Sequence, residues 1–327
     1  MVLLELFGGV DTGLLALTQL GIDVEQCYTS EIKKIAIKCS KDNWGDKVIQ
    51  IGDVTKVSYK NGILHTENGD FKTKIDMITS GSPCQDFSQA NKERKGLDGE
   101  KSSLFFEFLR ILKEVKPKYF FQENVEMDMK SNNFISDCLG VCPVNINSSL
   151  VSAQMRNRWY WTNIPGTGFD LLGPIIEQPK DRGIKLQDIL EYGYTDKEKA
   201  RCFLTSSGGQ VTPCKMYNRY VSTGLTTIIF KDKKHFKACK KHYNKYFNVT
   251  KEEKRKGLTP AIKMDNFKGD LSVYNGLRYL TQEELEKGQT FPKGYTKCLT
   301  RNECASVMGD GWTLEVIKHI FKGIKQC

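Results

Sequence analysis

The sequence predicts an α/β protein with a mixed, mainly parallel sheet and a smaller second lobe. Three observations carry this. Short β-rich runs alternate with helical patterns through the first 165 residues. A glycine-containing turn, Phe7-Gly8-Gly9-Val10-Asp11-Thr12-Gly13, follows the first run and opens a helix. From Pro165 to about Arg278 the alternation fades, while Gly, Lys, Asn and Tyr rise. Alternation of this kind argues for parallel strands joined through helices that cover the sheet.

In chain order, the predicted strands are Leu3 to Phe7, Val24 to Thr29, Ile75 to Ser80, Tyr119 to Gln122 and Trp159 to Thr162. Between them, Thr12 to Leu20 and Ser102 to Val115 carry apolar residues at helical spacing, with Leu104, Phe105, Phe108, Leu109 and Leu112 as the stripe of the second. Near the end, Thr300-Arg301-Asn302-Glu303 fits a capping box, and Leu314, Ile317, Ile320 and Phe321 make the stripe of a last helix. The expected division is a catalytic and cofactor-binding domain over 1–165, a smaller lobe over 166–277, and a segment over 278–327 that returns to the first domain.

A chain of 327 residues with 39% hydrophobic content can bury a sizeable core. It has eleven cysteines, but Met1 leads into strand-like sequence without a secretory pattern, so reduced thiols in a cytoplasm are expected. No apolar run approaches the roughly 20 residues that span a bilayer, so no membrane partner is expected. Net charge is +10, and between residues 231 and 270 there are 13 Lys+Arg against 5 Asp+Glu. Phe236, Tyr243, Tyr246 and Phe247 are interleaved with these lysines, a composition suited to phosphate contacts, with Lys240, Lys241 and Lys245 as candidates. The alternative is a solvated lysine-rich face.

The chemistry-bearing residues cluster at predicted strand ends. Cys84 follows Pro83 in a polar run just past a strand, which suggests a presented thiol rather than a packed one. Glu31 ends the second strand, where a carboxylate can take both hydroxyls of a ribose, and Asp53 can accept from an adenine amino group. A nucleoside-containing cofactor follows; the lysine loop that cradles triphosphates is absent. Glu123 ends another strand, and a thiolate with a protonatable carboxyl can add to an electron-poor ring and protonate its nitrogen. Arg156 and Arg158, one residue apart, share a face if extended. His235, Cys239 and His242, with Cys214, are zinc-type ligands, but their spacing fits no common zinc pattern and no metal is expected.

Taken together, Pro83-Cys84-Gln85, Glu123-Asn124-Val125 and Gln154-x-Arg156-x-Arg158, after Phe7-Gly8-Gly9, resemble the DNA cytosine-5 methyltransferases in content and order. Thr12-Gly13, Asn91 with Arg94-Lys95-Gly96-Leu97, Leu104-Phe105-Phe106-Glu107-Phe108 and Gly309-x-Gly311-Trp312 look most like the de novo subfamily. The resemblance implies the class I S-adenosylmethionine-dependent fold, with the basic lobe as target-recognition domain; the lack of an appended reading domain in the sequence favours a microbial or phage setting. It implies that a cytosine swings out of duplex DNA. Cys84 then attacks carbon 6, Glu123 supports protonation of ring nitrogen 3, and Arg158, beside Arg156, holds the ring carbonyl oxygen. S-adenosylmethionine would be the donor, with Phe7 on its adenine, Glu31 on ribose, Asp53 on the adenine amino group and Trp312 closing the pocket. Gly8, Gly9, Val10, Thr12 and Ile32 would line the same pocket, as would Val54, Pro83, Leu104 and Gly311. Ser88, Asn91, Arg94 and Lys95 would join the lobe lysines on DNA.

Two positions depart from the family pattern: Asp11, where glycine or alanine is common, and Asp310, where Asn is common. If both face the methionine end they favour a cationic donor; otherwise they point to solvent and cap helices. Two other functions compete. One is methylation of tRNA, whose branch carries a Cys-Phe-Thr tripeptide missing here. The other is a catalytically silent DNA-binding regulator, opposed by the joint presence of Cys84, Glu123, Arg156 and Arg158. A monomer or weak oligomer is expected.

Overall fold

The computed structural model describes residues 1–82, 103–170, 173–203, 211–224 and 226–324. Its strands are β1 (Val2–Leu6), β2 (Gln26–Ser30), β3 (Val48–Gln50), β4 (Ser58–Lys60), β5 (Ile63–Thr66), β6 (Gly69–Lys72), β7 (Met77–Ser80), β8 (Tyr119–Val125), β9 (Val144–Asn147), β10 (Asn157–Thr162), β11 (Gly168–Asp170) and β12 (Gly173–Ile175). The helices are α1 (Thr12–Gln19), α2 (Lys34–Trp44), α3 (Ser103–Val115), α4 (Met129–Leu139), α5 (Leu186–Ile189), α6 (Pro213–Ser222), α7 (Lys233–Tyr246), α8 (Lys251–Arg255), α9 (Pro260–Asp265), α10 (Gln282–Gly288), α11 (Arg301–Asp310) and α12 (Leu314–Phe321).

Seven strands form one sheet in the order β3-β2-β1-β7-β8-β10-β9. Neighbours from β3 through β8 run parallel, whereas β10 is antiparallel to both β8 and β9. All five residues of β1 are buried, as a central parallel strand covered on both faces requires. Alternation divides its side chains between two cores. Leu3 joins one with Met77, Phe121, Tyr160, α1 and α12; Leu4 and Leu6 join the other with Ile78, Phe120, Trp161, Phe105 and Phe108. The result is a sheet between two helical layers.

All five predicted strands lie in this sheet. β8 runs beyond its predicted end to Val125, while Val24 and Ile75 are buried just before β2 and β7. α3 buries Phe105, Phe108, Leu109 and also Ile111. The capping box forms at α11, with Thr300 and Glu303 bonded reciprocally. The terminal segment does return to the sheet: α12 buries Leu314, Ile317, Ile320 and Phe321 in the same core as α1, and Tyr295 Oη donates to Val10 O at 2.7 Å.

The buried residues of a third core lie between 214 and 277, among them Tyr217, Tyr220, Phe230, Cys239, Tyr243 and Phe247, with Tyr194 and Tyr279 packed against it. Leu186, Ile189, Ala200 and Phe203 instead pack into the main core with α1 and α12. No helix among the described residues is long and apolar enough to cross a membrane.

Candidate active site

The chain moves outward from β1 to β2 and β3, then returns to lay β7 on the other side of β1. That reversal makes the carboxyl ends of β1 and β7 a topological switch point, where open α/β sheets open a binding crevice. The turn after β1 is built for close approach. Phe7, Gly9 and Asp11 all have positive φ, near 58°, 58° and 56°. Phe7 and Asp11 pay backbone strain that glycine avoids, a feature that concentrates at functional sites. A Cβ on Gly8 would lie 2.4 Å from the Thr29 methyl, so only glycine lets the turn sit down on β2.

At the end of β2, Glu31 turns its carboxylate back onto this loop. Oε2 accepts from Gly9 N (2.9 Å), and Oε1 accepts from Ile32 N (2.8 Å) and Lys33 N (2.7 Å). Ile32 beside it is 76% exposed, an aliphatic side chain with nothing over it among the described residues. Asp53 follows β3; its Oδ1 accepts from Thr55 N at 2.9 Å, and its own amide donates to Glu67 Oε1 at 2.9 Å. A half-buried aromatic (Phe7), an exposed aliphatic and two acids therefore ring one edge, a donor set that fits a nucleoside. Val10, Thr12 and Val54 are buried beneath it.

The acid–base side lies across the switch point. Because β10 runs against β8, its first residues arrive at the carboxyl end of β8: Arg158 is in register with Val125, and Tyr160 with Glu123. Arg158 and Tyr160 share a face with Glu123, so Arg158 reaches the carboxylate diagonally. Arg158 Nε lies 2.9 Å from Glu123 Oε1, an ionic contact rather than an aligned hydrogen bond. The other oxygen, Oε2, accepts from Trp312 Nε1 at 3.1 Å. Trp312 is buried, packs edge-on against Phe121 at 5.1 Å, and touches Gly81, where a Cβ would meet the indole at 2.9 Å. Gln122 Nε2 donates to Ser82 Oγ at 3.0 Å, tying the chain leaving β7 to β8. Arg156 is 3% exposed and bonds Gly309 O, Asp310 O and Cys202 Sγ.

Against this geometry, the profile of the C-5 cytosine-specific DNA methylase family matches residues 1–326. The chain belongs to that family. Over 124 residues it is 40% identical to the Type II methyltransferase M1.ScrFI of Lactococcus lactis subsp. cremoris, covering 38% of this chain and 28% of that protein. Over 125 residues it is 37% identical to the orphan methyltransferase M.Rho11sI of Bacillus phage rho11s, covering 38% of this chain and 22% of that protein. The aligned part thus spans about a quarter of these relatives. The crystal structure of a Spodoptera frugiperda DNMT2 mutant superposes with a TM-score of 0.63 at 18% identity, covering 98% of both chains; S. pombe Dnmt2 gives 0.58 at 16%, covering 98% of this chain and 97% of that one. These two likenesses concern the fold.

In this family member, Glu123, Arg156, Arg158 and Trp312 converge, and Phe7, Gly8, Gly9, Glu31, Ile32 and Asp53 share one edge. Trp312 is engaged by Glu123 and Gly81. Leu104 is a half-buried residue in the first turn of α3, packed against the core that holds Phe105 and Phe108, and Gly311 ends α11. Pro83, Cys84, Ser88, Asn91, Arg94 and Lys95 lie outside the described residues. Lys240, Lys241 and Lys245 are exposed on α7, while Cys239, Tyr243 and Phe247 face the third core. His235, Cys239 and His242 have other partners: His235 Nε2 and Cys239 Sγ contact Val273 O, and His242 contacts Tyr274.

The two unusual aspartates differ: Asp310 is half-exposed to solvent, as one alternative has it, whereas Asp11 follows neither alternative. Asp310 pairs with Lys33, which neutralises it. Asp11 occupies the N-cap position of α1 but makes no cap bond, and it is fully buried. It faces inward: Thr29 Oγ1 donates to its Oδ1 at 3.0 Å, and Glu5 lies nearby. Burial raises Asp11 from 3.8 to about 7. Burial, then the charge of Asp11, pushes Glu5 well above the usual carboxylate range. The sequence reading missed Glu5 and Cys202. A charged residue inside the apolar run Val2-Leu3-Leu4-Glu5-Leu6 was a readable signal for Glu5; none marks Cys202.

Proposed function

We propose that this chain transfers a methyl group from S-adenosylmethionine to carbon 5 of cytosine in duplex DNA, with Cys84 as the nucleophile. The observation that supports it most is the Arg158–Glu123–Trp312 network, set at the switch point beside the end of the strand that leads in sequence to Pro83-Cys84. When bound, S-adenosylmethionine supplies an electrophilic methyl group; Phe7, Ile32, Glu31 and Asp53 would hold its nucleoside. Glu123 would carry the proton for ring nitrogen 3, while Trp312 fixes one carboxylate oxygen and leaves the other to Arg158. Arg158 would bond the ring carbonyl oxygen. The Cys84 sulfur would bond to carbon 6, so that carbon 5 gains the electron density to take the methyl and afterwards loses its proton to release the enzyme.

The domain division 1–165, 166–277 and 278–327 belongs to the same proposal, with the lobe as the target reader. It is supported by the separate core over residues 214 to 277 and by α7, whose exposed Lys233, Lys234, Lys237, Lys240, Lys241 and Lys245 form no ion pair among the described residues. Incubation with labelled S-adenosylmethionine and either duplex DNA or tRNA tests the function. Label in 5-methylcytosine of DNA supports it; label in tRNA alone, or DNA binding without transfer, refutes it in favour of an RNA enzyme or a silent regulator.

A further inference from the structure

A buried charge needs a counter-ion, and Arg156 has no carboxylate among the described residues. Its side chain donates to the carbonyls of Gly309 (3.0 Å) and Asp310 (3.3 Å), which are dipoles. The nearby acids are committed elsewhere: Glu123 meets Arg158, and the Asp310 carboxylate meets Lys33. The remaining partner is Cys202, whose Sγ lies 3.1 Å from Arg156 Nη1.

Backbone pairing puts the thiol there. Gln154 and Ala200 form a parallel bridge; Met155 N donates to Ala200 O at 2.9 Å and Ala200 N to Ala153 O at 2.7 Å. Phe203 N donates to the Gln154 side chain at 2.9 Å, extending the contact. Two residues further along both segments, Arg156 and Cys202 come into register on one side. Arg158 reaches the same sulfur through Nη2, at 3.8 Å.

We propose that Cys202 is a positioning residue of the base pocket: as a thiolate it is the counter-ion of Arg156, and through the two arginines it governs how readily Glu123 takes a proton. Burial alone raises a thiol, but the charges of Arg156 and Arg158 outweigh it here and the net direction is down. Among the described residues, the charged groups facing the sulfur are those two guanidiniums, with Glu123 behind Arg158. The Lys33–Asp310 pair, beyond the α11 carbonyls, is neutral as a unit. With the thiolate, two cations meet two anions. Without it, two cations face Glu123 alone and hold it in its charged form, the wrong form for donating a proton to the ring.

The rate part of this inference rests on the proposed cytosine chemistry; the charge state of Cys202 does not. The test therefore has two arms. In the first, the full chain is pulse-alkylated with iodoacetamide across pH 5.5 to 9.5, and modification of Cys202 is read by mass spectrometry, with fragment ions separating it from Cys214 in the same tryptic peptide. The midpoint should fall clearly below the roughly 8.5 of a free cysteine; a midpoint at or above that value overturns the proposal whatever reaction the enzyme performs. In the second, methyl transfer is followed against pH. Cys202→Ser should lose about tenfold or more in rate, with its optimum moved to lower pH. Cys202→Asp, which restores an anion, should recover most of the rate and the original profile. A serine variant with unchanged rate and profile, or a folded aspartate variant no better than serine, also overturns it.

Discussion

Replacing Asp11 by asparagine should make the protein more stable at neutral and alkaline pH and change it little at acid pH. The side chain is fully buried, with the hydroxyls of Thr29 and Ser40 as its hydrogen-bonding neighbours. Its carboxyl is held from 3.8 up to about 7, chiefly by burial. A carboxyl whose folded value lies above its unfolded value contributes stability that is intact below the unfolded value and is lost as pH rises through the folded one. The window of loss therefore runs from about pH 4 to about pH 7. At about 1.36 kcal/mol per pH unit, the full interval is worth up to about 4 kcal/mol, roughly two thirds of it between pH 5 and pH 7. Asparagine does not ionise, yet its Oδ1 can still accept from Thr29. Urea unfolding of both proteins at pH 5 and pH 8 measures the difference directly. Asp11→Asn should gain about 1–3 kcal/mol more over the wild type at pH 8 than at pH 5. An equal gain at both values would show that Asp11 does not change protonation in this window.

Trp312→Phe removes the indole donor from Glu123 Oε2 while keeping the ring against Phe121, so turnover should fall about tenfold to a hundredfold with DNA affinity little changed. Glu123→Gln preserves shape but cannot share a titrating proton; it should keep cofactor affinity and lose about a hundredfold to ten-thousandfold in turnover, and a variant within a few-fold of wild type would remove Glu123 from the mechanism. Neutralising Lys240, Lys241 and Lys245 together should reduce the salt slope of DNA binding by up to about three, one per lost phosphate contact. An unchanged slope would return α7 to an ordinary solvated face.

What could be read from the sequence follows the physics of each element. Buried parallel strands such as β1 and β7 are apolar runs closed by small or polar residues, and amphipathic α3 and α12 show their stripes, so both emerged from periodicity. The meander β4–β6 did not, because its strands are three or four residues long and β6, Gly69-Asp70-Phe71-Lys72, is mostly exposed. Helices α6 and α7 were hidden for another reason: they bury tyrosines, cysteines and a methionine beneath polar faces, lysine-rich in α7, and that pattern resembles surface. In the candidate site, the shared placement of Glu31, Asp53 and Glu123 was legible because the sheet gathers strand ends at one edge; Arg158 lies in β10 and Arg156 just before it, where both reach Cys202. Trp312 lies 189 residues from Glu123, and Cys202 46 residues from Arg156. Such contacts depend on where α11 and the 200–203 segment pack, which no local pattern encodes. The inward turn of Asp11 was equally invisible, since it depends on a left-handed backbone that no local pattern marks at this position.

The measurement closest to the proposed function is covalent trapping. Duplex DNA carrying 5-fluorocytosine at the target position, incubated with the protein and S-adenosylmethionine, should give an adduct that survives denaturation, because fluorine at carbon 5 cannot leave as a proton. Cys84→Ala should give none under the same conditions. An adduct that persists in Cys84→Ala, or its absence from the wild type on methylatable DNA, would contradict Cys84 as the nucleophile.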